Sequence, residues 1–446
     1  MTNLGLQVCG STSGGLTIVP GEIQAHTGWT GAILVSAPSM SAIGNMSVGL
    51  HLYTSSDEHL ANWVRYQPAT PSPNGDDCVI CPGLVPNWTN ASNIGDTYQW
   101  AEPAWDKPVP AGTARTFYTL SGSSICGPND DGGHWCGYGR GTPQTLLFTS
   151  TDLVTWQFKS VFWRGPFAGA GGKLLPNTHG SLYTPDTFAL PDGRQALIYL
   201  MGGTHWQIGS FDREKGTFAA AGQGKASAGS EEGIGSCGQS LTDAKGRRVQ
   251  FGWQHINLGV TQGAQSLPRV ITLAPESQGG GLLFSPLPEL DTLHNASTHQ
   301  KKNFTIAGGQ SRQQAGIDQE TGLHHHMKLN VTMDATVKSE FSVCVQCDGG
   351  HPGVVVSFAT DGSSAVTVGV GGTARTLTLP AGSATAVVQA DLFTDGLITE
   401  LFAGQGEVAL SHTANDVVAS GISYKASGAA AVAVELELWH MVTSVF

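Results

Sequence analysis

Short runs that either alternate between apolar and polar residues or are wholly apolar recur along the first two thirds of the chain, separated by clusters of Gly, Pro, Asn and Asp. Helical periodicity is almost absent. Because successive side chains of a strand point to opposite faces of a sheet, such runs predict strands rather than helices. The predicted strands of this part are Ala32–Ser36, Ser47–Tyr53, Thr116–Leu120, Thr145–Phe148, Ala196–Leu200 and Arg248–Trp253. Many short strands between turn signals are typical of an all-β sandwich, barrel or propeller.

The pattern breaks at residues 291–310, where His, Asn, Lys and Gln replace the alternation. Beyond this break, period-two alternation returns in the runs Val331–Val345, Gly353–Phe358, Ala365–Val370, Ala384–Phe393 and Ala430–His440. We therefore predict an all-β domain over residues 1–290, a linker over 291–310 and a β-sandwich over 311–446.

A short internal sequence repeat indicates which all-β architecture the first domain has. Leu52–Asp57 leads to Trp63, and the similar run Leu147–Leu153 leads to Trp156. Each copy predicts a strand, a Ser/Asp turn and a Trp that packs the next strand. Repetition of such a unit at long spacing favours the blades of a propeller.

The composition limits the possible partners of the protein. Only 13% of the 446 residues are charged, below the roughly 25% that is usual in globular proteins. The formal net charge of -12 excludes the basic footprint of a nucleic-acid-binding protein. No run approaches the roughly 20 apolar residues of a membrane-spanning helix. A neutral, hydroxyl-rich ligand such as a carbohydrate fits this balance, and we expect no cofactor.

The first residues and the rest of the chain give different indications of the cellular location of the protein. The first ten residues lack the basic lead and the apolar core of a signal peptide. However, eight cysteines and six Asn-x-Ser/Thr triplets favour a secreted, vacuolar or lumenal glycoprotein. The triplets open at Asn45, Asn87, Asn90, Asn295, Asn303 and Asn330. We expect the true amino terminus to lie upstream of Met1, which would reconcile the two observations.

Two cysteine pairs, Cys78–Cys81 and Cys344–Cys347, have Cys-x-x-Cys spacing. A zinc site would require both pairs to meet in space. Disulfides or free thiols are the simpler interpretation, and Cys126 with Cys136 is a further disulfide candidate. We therefore predict no metal site.

Five segments stand out in chain order. They are Gly28-Trp29-Thr30-Gly31-Ala32, Trp100-Ala101-Glu102-Pro103, Tyr183-Thr184-Pro185-Asp186, Gly246–Trp253 and Gln265-Ser266-Leu267-Pro268-Arg269. In this order they resemble motifs of glycoside hydrolase family 32, the family of invertases, β-fructofuranosidases and fructan hydrolases. The family motifs are Trp-Ser-Gly-Ser-Ala, Phe-Arg-Asp-Pro, Glu-Cys-Pro-Asp, Gly-Arg-Arg-x-x-x-Gly-Trp and Gln-Ser-Leu-Pro-Arg, and the last two match almost fully. Phe284–Leu290 resembles the family's interdomain linker, and Asp395–Phe402 its last conserved sandwich strand.

The resemblance implies an all-β fold, a five-bladed β-propeller that is incomplete at its N-terminus and is followed by a C-terminal β-sandwich. It also implies a funnel-shaped site at the propeller axis. The implied activity is hydrolysis of O-glycosyl bonds in β-fructosides such as sucrose or fructan.

The residues at the implied catalytic positions depart from the family. Retaining glycosidases use two carboxyl groups, one as nucleophile and one as acid/base. The family's nucleophile lies in an Asn-Asp-Pro-Asn-Gly segment, which does not occur here, and we interpret the superficially similar Pro73–Asp77 as a turn. Tyr183 stands at the family's acid/base Glu, and a phenol with a pKa near 10 is a poor proton donor. We expect catalysis to be impaired.

Glu102 falls at the family's transition-state-stabilising Asp, so Glu102 and Tyr183 are the candidate catalytic residues. Glu102 could instead be a surface residue in a Pro-rich turn. The implied substrate-binding residues are Trp29, Thr30, Asp186 and Glu231.

Each acidic candidate also has a purely structural interpretation. Asp186 could cap a turn before the strand at Phe188. Glu231, with its neighbour Glu232, could lie in a solvated turn. The run His324–His326 could bind a metal, but an exposed strand start is the simpler interpretation.

Three hypotheses remain open from the sequence. The protein is a family-32-type hydrolase, a non-catalytic carbohydrate-binding or interaction module descended from one, or a fragment of a longer invertase. An open four-bladed remnant would expose strand edges, which favours the fragment.

Overall fold

The computed structural model describes residues 14–18, 31–36, 49–57, 59, 61–69, 78–86, 94–103, 107–125, 142–165, 182–200, 204–225, 236–254, 264–276, 280–315, 317, 322–347, 353–363, 365–380, 382–414 and 421–442. The chain divides into two compact units, residues 1–224 with 237–248 and residues 225–236 with 249–446. In both units the described residues are predominantly strands, which confirms the predicted all-β class. Among them, no helix is long and apolar enough to span a bilayer.

The first unit contains three four-stranded antiparallel sheets, each with its strands side by side in chain order. The first sheet is β1 (Gly14–Ile18), β2 (Gly31–Ser36), β3 (Leu50–Ser55) and β4 (Val64–Arg65). The second is β5 (Gly95–Glu102), β6 (Thr116–Ile125), β7 (Thr142–Ser150) and β8 (Gln157–Arg164). The third is β9 (Tyr183–Ala189), β10 (Gln195–Leu200), β11 (Thr204–Asp212) and β12 (Thr217–Lys225). Four-stranded meanders of this kind are the blades of a propeller.

Successive sheets pack face to face. Leu34 and Leu52 of the first sheet share an apolar cluster with Leu146 and Phe148 of the second. On the other face of the second sheet, Leu147 belongs to a separate cluster with residues of the third. Members of that cluster include Leu120, Phe162, Leu197, Tyr199 and Phe218. Both faces of the second sheet are buried, so strand β7 is buried at almost every described position, its polar residues Gln144, Thr145 and Ser150 included.

The two copies of the internal repeat, Leu52–Asp57 and Leu147–Leu153, form the same turn. Ser55 Oγ accepts a hydrogen bond from the backbone N–H of Asp57, and Ser150 Oγ accepts one from Asp152. The Asp57 carboxylate then accepts bonds from following backbone N–H groups, as the Asp152 carboxylate does. In the second copy, Trp156 is buried and its indole N–H donates to a turn carbonyl. The predicted strand and Ser/Asp turn are therefore repeated, and the predicted packed Trp is confirmed in the second copy.

The chain continues through β13 (Ser236–Thr242), β14 (Arg248–Gln254), β15 (Ala264–Gln265), β16 (Arg269–Leu273) and β17 (Leu282–Pro286). Strands β14, β16 and β17 lie side by side in that order, and β15 pairs with β14. Short 3-10 helices occur at Pro82–Leu84, Pro288–Leu293, Ala296–Thr298 and Gly404–Gly406.

The C-terminal part is a sandwich of two six-stranded sheets. In spatial order, one sheet is β18 (Gln300–Ile306), β29 (Val432–His440), β20 (His324–Asp334), β25 (Thr385–Asp395), β26 (Ile398–Ala403) and β27 (Val408–Thr413). The other is β19 (Ser311–Gln313), β28 (Ile422–Gly428), β21 (Lys338–Val345), β22 (Val354–Asp361), β23 (Ala365–Val370) and β24 (Thr373–Thr378). Alternate residues of both sheets form one apolar core, which includes Val331, Phe341, Val356 and Leu436. The predicted sandwich is confirmed.

The stretch predicted as a linker, 291–310, contains a strand of the sandwich. β18 pairs along its full length with β29, and its burial alternates towards Ile306. The strand is not apparent in the sequence because Gln300 and Lys302 occupy half-buried positions, which long side chains tolerate by keeping their polar ends in water.

The two Cys-x-x-Cys pairs form disulfides. Cys78 is bonded to Cys81, and Cys344 is bonded to Cys347. Cys126 and Cys136 lie outside the described residues.

A buried ion pair connects β16 to the sandwich within the second unit. Arg269 Nη2 lies 2.7 Å from Glu400 Oε2, and the two side chains are only 4% and 2% exposed. Glu400 also accepts the backbone N–H of Leu267 at 2.6 Å, and Arg269 donates to Ser411 Oγ at 3.0 Å. Arg269 belongs to the segment Gln265–Arg269 and Glu400 to the segment Asp395–Phe402, and both segments resemble family 32 motifs. The ion pair therefore gives one residue of each motif a structural role.

We predict that Glu400→Gln lowers the free energy of unfolding by about 3–5 kcal/mol, because it leaves the Arg269 charge buried without its counter-ion. Chemical denaturation of the two proteins measures this loss. The matched control is Glu340→Gln on the exposed side of β21, which should change stability by less than about 0.5 kcal/mol. Equal effects of the two substitutions would contradict the assignment.

Candidate active site

Some of the residues predicted for the site cannot be placed. Trp29, Thr30 and Glu231 lie outside the described residues, as does the segment Pro73–Asp77. Tyr183 is described as the first residue of β9, by its backbone alone. Glu102 and Asp186 are described in full, and the roles predicted for all these residues stay predictions.

The motif Tyr183–Asp186 forms a β-bulge rather than a regular strand. Tyr183 pairs with Leu200 of β10 and Asp186 pairs with Ile198, so β9 contains one extra residue between them. Thr184, inside the bulge, has a φ of 47° and is buried. A β-branched residue in the left-handed region costs about 1–3 kcal/mol and persists only where the surroundings hold it. Bulges are common beside active sites, where they redirect a side chain.

Asp186 is fully buried and accepts hydrogen bonds on both carboxylate oxygens. Oδ1 accepts from Arg248 Nη2 at 2.7 Å, and Oδ2 accepts from the backbone N–H of Ser240 at 2.8 Å and from the Ser240 hydroxyl. Arg248 also donates through Nε to Ser240 Oγ at 2.6 Å and through Nη2 to the Tyr98 hydroxyl at 3.0 Å. The Arg248 guanidinium lies 4.4 Å from the centre of the Phe188 ring, a cation–π contact.

This network corrects one interpretation of Asp186. The residue does not cap a turn, because it lies inside β9 and bonds residues more than 50 positions away. Burial raises the pKa of Asp186, while the Arg248 charge and the Ser240 donors oppose that rise. The same burial raises the pKa of Tyr98. The arrangement therefore makes Asp186 an anchor of the strand that carries Tyr183.

Sequence reasoning assigned no role to Arg248, Ser240 or Tyr98. Arg248 lies in the segment Gly246–Trp253, where two adjacent arginines open an otherwise apolar strand. A charged residue at that position needs a buried partner, and this signal could have pointed to a carboxylate such as Asp186.

Glu102 ends β5 and forms a second, more exposed network. Arg213 Nε lies 3.0 Å and 3.2 Å from its two carboxylate oxygens, with the Glu102 side chain 32% exposed. Burial and the neighbouring Glu102 carboxylate raise the pKa of Tyr118. Glu102 thus keeps its carboxylate accessible between a cation and a phenol.

A stack of aromatic rings lies between the two networks. Trp100 stacks on Tyr118 with ring centres 4.9 Å apart and on Tyr98 at 5.9 Å, and Phe211 contacts it edge-on. Trp100 is partly buried and packs against the cluster between the second and third sheets. Tyr98 bonds to the Asp186 network and Tyr118 adjoins Glu102, so this stack connects two of the motif segments.

The site is built on neighbouring strands of the first unit. β1, β5 and β9, each the first strand of its sheet, lie next to one another. The Gln239 amide of β13 donates to the Thr97 carbonyl of β5 at 2.6 Å, with both residues buried. First strands that lie side by side are what a propeller places around its axis. This topology brings the segments of Glu102, Tyr183 and Asp186 into one region, although Glu102 and Asp186 bond to different partners.

Comparisons with known proteins identify the fold. No family model and no curated protein sequence matches the chain. The solved structures that match include a GH32 β-fructofuranosidase of Bombyx mori, at 18% identity and a TM-score of 0.65, covering 96% of this chain and 79% of that one. They also include fructan 1-exohydrolase IIa of Cichorium intybus, at 16% identity and a TM-score of 0.66, with 96% and 83% covered. A third is exo-inulinase of Aspergillus awamori, at 15% identity and a TM-score of 0.65, with 97% and 84% covered.

We predict that Asp186→Asn destabilises the protein by about 3–5 kcal/mol, because it leaves Arg248 buried without its counter-charge. Asp192→Asn is the matched control, since Asp192 forms an Asp–Arg pair of equal length, 2.7 Å, at the surface. Its loss should stay below about 1 kcal/mol. Denaturant titration of both variants gives the comparison, and a loss of less than about 1 kcal/mol for Asp186→Asn would show that the buried pair is not an anchor.

Proposed function

From the family 32 glycoside hydrolase fold that this chain has, we propose that the protein binds β-fructosides such as sucrose or fructan and hydrolyses their glycosidic bond slowly. The observation that carries the proposal is the fold likeness over 92–97% of the chain. The ordered motif segments support the same conclusion, because two independent signals lead to one enzyme family.

The substrate class is supported by two of the solved structures. A variant of the Bombyx mori enzyme is in complex with sucrose, and a variant of the Cichorium intybus enzyme is in complex with 1-kestose. The low content of charged residues and the acidic net charge of this chain also fit a neutral sugar better than a phosphorylated ligand.

Slow cleavage follows from the residue at position 183. A retaining glycosidase needs an acid that protonates the leaving oxygen near neutral pH, and a Glu of raised pKa does this. Tyr183 has a phenol whose ordinary pKa is near 10, so it holds its proton too tightly. General acid–base catalysis contributes about 10²–10⁴-fold to rate, which sets the size of the expected loss. The nucleophile segment Asn-Asp-Pro-Asn-Gly is also not part of this sequence.

We assign Glu102 to binding the hydroxyl groups of the sugar. Its partly exposed carboxylate can accept hydrogen bonds from two neighbouring hydroxyls, and Arg213 holds it in place from one side. Glu102 has one more methylene than the family's Asp, so it reaches further from the backbone. This residue serves binding whether or not the bond is cleaved.

A non-catalytic carbohydrate-binding module is the second candidate function. The observation that favours it is Asp186, whose two oxygens already accept bonds from protein donors. Such a carboxylate stabilises the protein rather than a reacting sugar.

We also propose that the protein is a secreted or lumenal glycoprotein. The two local disulfides fit an oxidising compartment. Of the acceptor asparagines, Asn303 is exposed on β18. Treatment of the protein from its native host with an N-glycosidase should increase its gel mobility.

The direct test uses the purified 446-residue chain with sucrose and 1-kestose. We expect saturable binding of at least one sugar by saturation-transfer NMR, and fructose release at least about 100-fold slower than by an exo-inulinase assayed alongside. Fructose release at the rate of that reference enzyme would contradict the impairment. Failure to bind either sugar would contradict the proposed function as a whole.

Glu102→Gln should weaken sugar binding about 10–100-fold, since a hydrogen bond to a charged group contributes about 1.5–3 kcal/mol. Glu214→Gln, at an exposed position next to Arg213, is the control and should leave binding unchanged. Titration calorimetry with the better-bound sugar measures both. Unchanged affinity in Glu102→Gln would remove this residue from the binding site.

A further inference from the structure

A cluster of ligand-type side chains lies in the sandwich, in residues that the proposed function does not use. His326, on β20, is 1% exposed, and His325 beside it is also buried, which corrects the expectation that the run His324–His326 is exposed. Asp291, in the preceding 3-10 helix Pro288–Leu293, and His294, the residue that caps its C-terminal end, approach His326. In a 3-10 helix, side chains three residues apart lie on one side, so this helix presents both groups together.

The three ligand atoms form a triangle of metal-site size. His294 Nε2 lies 2.8 Å from His326 Nδ1, and Asp291 Oδ1 lies 3.5 Å from the first and 3.7 Å from the second. Zinc bonds to His N and carboxylate O are about 2.0–2.2 Å, which makes the edge of a tetrahedral site about 3.3 Å. The observed edges scatter around this value. The shortest edge is a hydrogen bond between the two rings. An ion would replace this bond once the proton on His294 Nε2 has moved to Nδ1 of the same ring and the two rings have separated by about 0.5 Å.

Asp391 orients the central histidine. Its Oδ1 lies 2.9 Å from His326 Nε2, and an ionised carboxylate can only accept, so that nitrogen carries the proton. The lone pair of His326 therefore lies on Nδ1, the atom that faces His294 and Asp291. Metal-binding histidines almost always donate their other N–H to a carboxylate or a carbonyl in this way.

Aromatic packing holds both imidazole rings. His326 stacks on Phe393 with ring centres 3.8 Å apart. His294 stacks on Trp439 at 4.3 Å, and His299 stacks on the same indole at 4.7 Å. Phe393 and Trp439 are the cross-strand partners of His326 on β25 and β29, so three adjacent strands fix the cluster. Ligands held in place before the ion arrives lose little freedom when they bind it.

One charge opposes a cation at this position. Lys328 Nζ lies 3.0 Å from Asp291 Oδ2 and 3.3 Å from Oδ1. Lys328 is 41% exposed, and its long side chain can turn into water when an ion takes the carboxylate. The repulsion lowers the affinity without blocking the site.

We propose that Asp291, His294 and His326 form a zinc site on the sandwich, with Asp391 orienting His326. Two histidines and one carboxylate suit zinc, and half-exposed Asp291 leaves a fourth position for water. The site is independent of the fructoside site, so its test does not depend on the proposed function.

The test is titration of the metal-depleted full chain with Zn²⁺ alone, followed by calorimetry and by Trp fluorescence. The unsubstituted protein should bind one ion at this cluster and melt at a higher temperature. His294→Ala and Asp291→Asn should abolish that binding event, and Asp391→Asn should weaken it about 10–100-fold. His299→Ala, which removes the other histidine on Trp439, should preserve it. These positions are at least partly exposed, so far-ultraviolet circular dichroism of the metal-free variants, which reports the backbone fold, should match that of the parent.

A second measurement does not depend on any variant. Co²⁺ in a tetrahedral site absorbs strongly in the visible range, whereas octahedral Co²⁺ absorbs weakly. We expect the strong spectrum, and displacement of Co²⁺ by Zn²⁺. The proposal is overturned if the parent protein shows no saturable binding, if His294→Ala and Asp291→Asn bind as tightly as the parent, or if bound Co²⁺ gives only the weak spectrum.

Discussion

The buried ion pair between Asp186 and Arg248 is the interaction on which the first unit's candidate site depends. It fixes Asp186 two residues after Thr184, whose left-handed backbone persists only where the surroundings hold it. The pair also holds Ser240 and Tyr98, so strands from different parts of the first unit converge on one carboxylate. Position 183, three residues before Asp186, is therefore presented by a strand whose geometry the ion pair determines. We propose that Tyr183, which stands where the motif resemblance places the family's Glu, changes the chemistry of the site while this support stays in place.

The second unit also contains a buried ion pair between an arginine and a carboxylate. Arg269 and Glu400 form a buried pair with further bonds to the Leu267 backbone and Ser411. Only 13% of the residues of this chain are charged. Even so, two arginines that match family motifs, Arg248 and Arg269, form ion pairs with buried carboxylates. Buried charges of this kind tolerate no unpaired state, which makes them strong constraints on which strands come together. The motif resemblance at low overall identity has a physical cause here, because the motif residues are the ones that pair.

The sequence contains the local pattern of this fold but not its long-range partners. Short apolar runs predicted β2 and β10, and period-two alternation predicted the sandwich strands, because both patterns are visible within a few residues. The pattern missed β18, whose Gln and Lys residues conceal the alternation, and it placed the buried His326 at the surface. The partners of Asp186 and Arg269 lie 62 and 131 positions away, and no local pattern encodes such a separation. The role of Tyr183 came from the family resemblance, since a lone Tyr in a strand has no chemical signal of its own.

We propose that this fold still binds fructosides but lacks the family's proton donor. A crystal structure of the protein soaked with 1-kestose tests this claim most directly. We predict an intact trisaccharide whose fructosyl hydroxyls bond to Glu102 and whose glycosidic oxygen lies next to Tyr183. Cleaved sugar at that position, with two carboxylates flanking the broken bond, would contradict the proposal, as would a trisaccharide bound away from these two residues.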